Sequence, residues 1–154
     1  TTGFEPEEGH KIIEIGAVEL DNHVATGRTF QVYINPERDV PADSIAVHGI
    51  TEAFLKDKKV FSQVYADFLE FIGDGKLVIH NAAFDVKLLN AELRWCNRPA
   101  LPAGCALDTL DIARKKFPGS PASLDALCRR FGIDNDQALE LFHQTSNPAQ
   151  PYQL

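Results

Sequence analysis

Asp85 is the carboxylate whose setting most invites chemistry. It closes the run His80-Asn81-Ala82-Ala83-Phe84-Asp85, after the apolar Leu77-Val78-Ile79 and at the start of a helical pattern through Val86, Leu88, Leu89 and Leu93. Loops leaving the carboxyl ends of strands are where α/β proteins place their functional groups. An acid there needs compensation, because an unpaired carboxylate withdrawn from water is costly. Two compensations are open. Hard divalent cations bind clustered carboxylate oxygens, and a helix N-terminus stabilises negative charge by itself. Asp108 and Asp111, spaced i, i+3 at another helix start, read as N-terminal acidic bias rather than a metal pair. His80 and Asn81 read as side chains that bond loop backbone. A histidine titrating near neutrality can take a proton from water. His48, in Val47-His48-Gly49, is as well explained by a loop hydrogen bond as by substrate contact. His143, in Leu141-Phe142-His143-Gln144, reads better as a surface residue than as a base.

The elements that must hold these groups follow from pattern. Lys11 to Leu20 is rich in β-branched and aliphatic residues and reads as a strand. Phe30-Val32-Ile34 alternates with polar positions as a half-buried strand, antiparallel to the first. Asp21-Asn22-His23 and Thr26-Gly27 supply turn chemistry, and Asn35 to Pro41 is a loop. Ala42 to Val47 is a short helix, and Thr51 caps Glu52 to Leu55. Phe61, Val64, Tyr65, Phe68, Leu69 and Ile72 form one helical stripe, stopped at Gly73 and Gly75. Leu77 to Ile79 is a short buried strand and Ala83 to about Cys96 a helix. Leu107 to Phe117 reads as a helix ended by Pro118-Gly119. Ser123 caps a last helix that stops at Gly132. Strands first, then strand–helix units, give an α/β layered reading.

The 154 residues suffice for one domain with a real core. A net charge of −7 argues against a protein that coats nucleic acid through a broad basic face. It is compatible with an enzyme whose carboxylates bind cations that then attract phosphate. The pairs Lys58-Lys59, Lys115-Lys116 and Arg129-Arg130 read as solvated faces. Cys96, Cys105 and Cys128 show no metal-binding spacing and read as thiols of a reducing compartment. No apolar run has membrane-spanning length and no basic-then-apolar leader is visible. A cytoplasmic location with no membrane partner is the expectation.

Gly9 to Glu19, Val47 to Thr51, His80 to Asp85, Asp108 to Arg114 and Ser123 to Cys128 occur in a telling order and spacing. Together they resemble the proofreading 3′→5′ exonuclease domains of bacterial DNA polymerase III epsilon subunits, within the DEDDh (RNase T-like) superfamily. The resemblance runs from Thr1 to about Asn135. It implies an α/β, RNase H-like three-layer fold, with a mixed central sheet flanked by helices. The exonuclease-like domain would cover 1–135, and 136–154 would be a divergent, partly disordered tail. It implies hydrolysis at a DNA 3′ end by two ions, Mg²⁺ or Mn²⁺, one generating hydroxide and one stabilising the leaving oxygen. Asp85 matches the metal-linked carboxylate of the middle motif, and His143 is a weak match to the general base. Thr1, Thr2 and Gly3 match the turn that offers backbone N–H groups to the terminal nucleotide. Val47 and His48 match the segment beside its base, with Asn81 and Phe84 as further substrate-side positions. The implied partners are a single-stranded DNA 3′ end, the polymerase III catalytic subunit and a small accessory subunit.

Two departures qualify this. In the family an Asp-X-Glu strand precedes the Thr-Thr-Gly turn, and here Thr1 opens the chain, so the first strand and two metal ligands are expected to be missing. His143 has Pro148 five positions on where the family has Asp, and no acid follows Glu140. Weak activity or none is therefore expected of this chain. Two alternatives stay open: an exonuclease-like module that binds the polymerase or a single strand, and a related RNA or oligonucleotide exonuclease. The runs Gly9 to Glu19 and Ser123 to Cys128 favour the polymerase-associated branch over the RNA-trimming ones.

Overall fold

The computed structural model of the chain describes residues 1–134. The first regular element is a two-stranded antiparallel hairpin. Strand β1 (Glu14–Asp21) pairs with β2 (Val24–Tyr33), from Glu14 opposite Tyr33 to Asp21 opposite Val24. The turn is made by Asn22 and His23, both at positive φ (48° and 67°). That is the backbone demanded by tight hairpins whose twist matches their strands. Thr26 and Gly27, expected as a second turn, lie inside β2. The register shifts between Val18 and Leu20 opposite them, and Gly27 takes φ 90°. The turn-forming residues thus make a bulge. Glu19 holds it, accepting from Thr26 Oγ1 at 2.7 Å and pairing with Arg28.

Helices α1 (Ala42–His48) and α2 (Glu52–Leu55) follow, and Thr51 Oγ1 accepts from the Phe54 amide at 3.2 Å as the cap. Helix α3 (Phe61–Ile72) turns its stripe inward, and Gly73 ends it by donating to the Leu69 carbonyl. Strand β3 (Leu77–Ile79) leads through His80 and Asn81 into α4 (Ala82–Trp95). The main core joins the hairpin base, α3 and α4 through Ile12, Ile34, Phe68, Leu88 and Leu93. A smaller cluster seats α2 by Leu55 against Ile13 and Val40. Glu92, 1% exposed on α4, accepts from the Ile12 amide at 3.0 Å and so ties α4 to the approach of β1.

The expected helix from Leu107 to Phe117 is corrected at its start. Ala106–Asp108 is a strand, β4, parallel to β3 with Ile79 opposite Asp108, and helix α5 covers only Thr109–Lys116. Three residues carry no readable period, and the apolar Ala106-Leu107 merges with the helical stripe behind it. Helix α6 (Leu124–Phe131) is capped as expected, Ser123 Oγ accepting from the Ala126 amide. Among the described residues both strand senses occur, bonded as two separate pairs, β1–β2 and β3–β4. Val18, Leu20, Val78 and Leu107 are each about half exposed on these strands.

Candidate active site

The parallel β3–β4 pair sets Asp108 directly across from Ile79, where β3 hands over to α4. Asp108 then does more than cap its own helix. Its Oδ1 accepts from the Leu110 amide at 2.9 Å and from the Asn81 amide at 3.0 Å, and its Oδ2 accepts from the Ala82 amide at 3.1 Å. One carboxylate therefore serves the first amides of both α4 and α5. Burial pushes its pKa up, but these amide bonds outweigh burial and hold it below the usual carboxylate range. Asp111 behaves differently, reaching outward to Lys115 at 2.6 Å. The helix-start reading fits both acids.

His80 bonds a side chain rather than the expected loop backbone, its Nδ1 lying 3.0 Å from Thr109 Oγ1. Asn81 is held otherwise than expected. Its side chain makes no capping bond, and its backbone takes the left-handed conformation (φ 66°) while its amide bonds Asp108. Asp85 follows on the first turn of α4 and is half-buried. Burial raises its pKa, and Asp108 adds to this. Its own backbone amide opposes it. Asp85 and the Thr1–Gly3 turn lie near one another.

That turn is firmly held. Thr2 is fully buried; its amide donates to the Lys11 carbonyl at 2.8 Å, and its Oγ1 accepts from the Lys11 amide at 2.9 Å. Ser44 Oγ donates to the Thr2 carbonyl at 3.2 Å. Gly3 is needed for space, since a Cβ would sit 2.5 Å from the His10 ring. His48 ends α1, and its Nδ1 accepts from the Ile50 amide at 3.1 Å, the loop bond anticipated for it. Its Nε2 is buried without a hydrogen-bond partner among the described residues. Burial lowers its pKa, against the Thr1 backbone and Glu14. Val47 beside it is 87% exposed.

Phe84 packs against the main core and meets Phe4 at 5.8 Å between ring centroids. Phe4 is 73% exposed, so an aromatic face stands beside the Thr1–Gly3 turn. Sequence reasoning missed Phe4, although its place directly after Gly3 was signal enough. It also missed that Asp108 reaches α4, which no local pattern encodes.

A hard divalent ion wants several oxygen ligands. Among the described residues no three of His, Cys, Asp and Glu gather to hold one. Glu14 accepts from Gln31, Asp108 serves backbone amides, and Glu5 and Glu7 pair with Lys87 at 2.6 and 3.1 Å. These residues bring one suitable carboxylate, Asp85, and do not by themselves complete a two-metal site. His143 lies outside the described residues, as does the expected tail.

A helix-flanked α/β frame carrying one half-buried acid at a strand–helix junction, beside a pinned Thr-Thr-Gly turn, shares its fold with solved nuclease structures. A DEDDh nuclease domain bound to rAMP superposes with a TM-score of 0.68 at 23% identity, covering 84% of this chain and 72% of that one. Exonuclease X in complex with 5′-overhanging duplex DNA gives 0.69 at 25% identity, covering 87% and 70%. The chain belongs to the RNase T-type exonuclease family, whose model, described as exonuclease, matches residues 1–145. It is 56% identical over 138 residues to the DNA polymerase III subunit epsilon of Rickettsia felis, covering 88% of this chain and 60% of that protein. The epsilon subunit of Escherichia coli is 48% identical over 133 residues, covering 84% and 55%. The chain thus spans a little over half the length of these relatives. Membership of the family implies divalent-metal chemistry. Among the described residues no helix is long and apolar enough to cross a membrane.

Proposed function

We propose that residues 1–135 form a proofreading 3′→5′ exonuclease domain of the polymerase III epsilon type, acting on a single-stranded DNA 3′ end in the cytoplasm beside the polymerase catalytic subunit. The observation that carries this is the half-buried Asp85 at the β3–α4 junction of a chain 56% identical over 138 residues to a polymerase III epsilon subunit. In this reading Asp85 is a ligand to Mg²⁺ or Mn²⁺, and the ions supply charge neutralisation and an activated water when bound. Gly3 leaves room for the His10 ring that packs against this turn. Val47 and the Phe4–Phe84 face offer apolar surface to a base, a contact that tolerates any sequence. Asn81 stands where the strand leaves the site.

A second reading, a binding module of the same fold, is favoured by one observation: the described residues gather no metal-holding trio. Digestion of a 5′-labelled single strand with Mn²⁺ separates the two. The exonuclease reading expects slow stepwise shortening from the 3′ end, with Asp85→Asn lowering the rate about 10²-fold or more, as loss of one transition-state charge contact does. Cleavage at internal positions, or a rate indifferent to Asp85→Asn, would overturn it. Binding of the strand without any shortening at high enzyme concentration would favour the module.

A further inference from the structure

We propose that Lys87 is a positioning residue of this site: from α4 it fixes segment 4–9 and, through that segment, the Thr1–Gly3 turn near Asp85. This rests on the exonuclease reading above. Lys87 Nζ lies 2.6 Å from Glu5 Oε2 and 3.1 Å from Glu7 Oε2. Its reach sets it apart from the other paired cations. Arg28 and Lys115 find their acids 9 and 4 residues away, inside one hairpin and one helix. Lys87 finds Glu5 82 residues back along the chain. On α4 it follows Asp85 by two positions, about 3 Å along the axis. It follows Phe84 by three, so Phe84 and Lys87 share one face of the helix. Phe84 meets Phe4 while Lys87 holds Glu5 and Glu7, so that face grips four successive positions of the segment at three of them.

The segment's own bonds shape it without placing it. The Glu8 and Gly9 amides donate to the Glu5 and Pro6 carbonyls at 3.1 and 2.9 Å, around one 3-10 turn, Pro6–Glu8. Its far side is held by the buried Pro6 and by Arg38, whose Nη1 donates to the Gly9 carbonyl. Toward α4 the holds are the Phe4–Phe84 contact and Lys87. Position then passes to the turn. The Glu5 amide donates to His10 Nδ1 at 2.9 Å, and the His10 ring fills the space that a Cβ on Gly3 would need. A shift of Glu5 therefore shifts the ring against which Gly3 rests. Both ion pairs are exposed, so Lys87 tunes this hold and leaves the fold standing.

The test compares the wild-type chain with Lys87→Gln, Lys87→Arg and the double variant Glu5→Gln, Glu7→Gln. The readouts are hydrogen exchange and equilibrium binding of thymidine 5′-monophosphate in Mn²⁺. Lys87→Gln should speed exchange of the Glu8, Gly9 and His10 amides and weaken nucleotide binding, each about two- to fivefold, the scale of exposed pairs. Exchange in α3 should not change. Lys87→Arg, which keeps the charge, should restore both readouts. The double variant separates position from charge. Freeing Lys87 from its acids leaves its surroundings more positive, so a lysine that only attracts phosphate gives tighter binding, and a positioning lysine gives weaker binding. Unchanged exchange in Lys87→Gln, or tighter binding by the double variant, overturns the positioning role and spares the exonuclease reading. Failure of the wild-type chain to bind the nucleotide overturns the exonuclease reading, and the part of Lys87 in that site with it, even where the exchange difference is found.

Discussion

Asp108 shows how one side chain can hold a site together without belonging to its chemistry. Its carboxylate takes amides from the starts of α4 and α5, so it fixes the turn on which Asp85 is mounted. Asp108→Ala should lower the thermal midpoint distinctly more than Asp111→Ala, whose partner is an exposed lysine and whose pair is worth little. Equal effects in a melting series would refute the double cap. Because the fold depresses the Asp108 pKa, its contribution is present above the unfolded value near 3.9 and is lost as pH falls through the lower folded value. Glu92 runs the other way. Burial raises its pKa, against the Ile12 amide and Lys11. Its protonated form is the one the fold prefers, so its contribution is full below about 4.3 and is lost as pH rises through the folded value. Glu92→Gln keeps an acceptor for Ile12 and removes the charge. The variant should therefore gain on the wild type as pH rises from about 4 to 8 in urea denaturation, and parallel curves would count against it. Of these residues the sequence exposed Asp85, His48 and the helix-start role of Asp108. It hid the reach of Asp108 into α4 and the burial of Glu92, because both depend on pairings 26 and 80 residues apart.

The elements were legible in proportion to their periods. The α3 stripe and the Ser123 cap could be read directly, since twelve residues of 3.6 period and a Ser before an apolar run each carry a local signal. Strand β4 could not, because Ala106–Asp108 is too short to show alternation and its evidence is the ladder with β3. Thr26-Gly27 misled for a related reason. Glycine supplies positive φ to a bulge as readily as to a turn, and only the partner strand decides between them. The load on α4 makes a measurable claim. Leu88, 1% exposed, joins α4 to the hairpin and α3. Leu88→Ala should cost about 2–5 kcal/mol, the range for emptying a well-packed leucine site. Phe131→Ala, at a residue 59% exposed on α6, should cost well under 1 kcal/mol. If chemical denaturation gave the two similar losses, the core would not be centred where α3, α4 and the hairpin meet.

At the scale of the whole molecule the question is how much catalysis one acid can support. The chain is acidic, so a phosphate site in it would need bound cations to bring phosphate in. The described residues leave Asp85 half-buried on the first turn of α4, while Glu5 and Glu7, the nearest sequence substitutes, are drawn to Lys87. Adding a strand that ends in Asp-X-Glu ahead of Thr1 should therefore do two things. It should stabilise the fold by burying apolar surface, at about 25 cal/mol per Å², because Val18 and Val78 stand about half exposed on separate two-stranded sheets. It should also bring two carboxylates toward Asp85 and raise Mn²⁺-dependent turnover. Full rate should still require a histidine with an acid five positions on, which the residues around His143 do not spell. A positioned general base contributes roughly 10²–10⁴ in rate, so the doubly extended protein should exceed the strand-extended one by about that factor. Turnover on a labelled single strand, compared across this chain, the strand-extended chain and the doubly extended chain, is the measurement. Equal rates for the last two would mean that His143 or solvent already serves as base. Robust turnover by the chain of 154 residues alone would mean that acids other than Asp85 complete the metal site, against the ion pairs that hold Glu5 and Glu7.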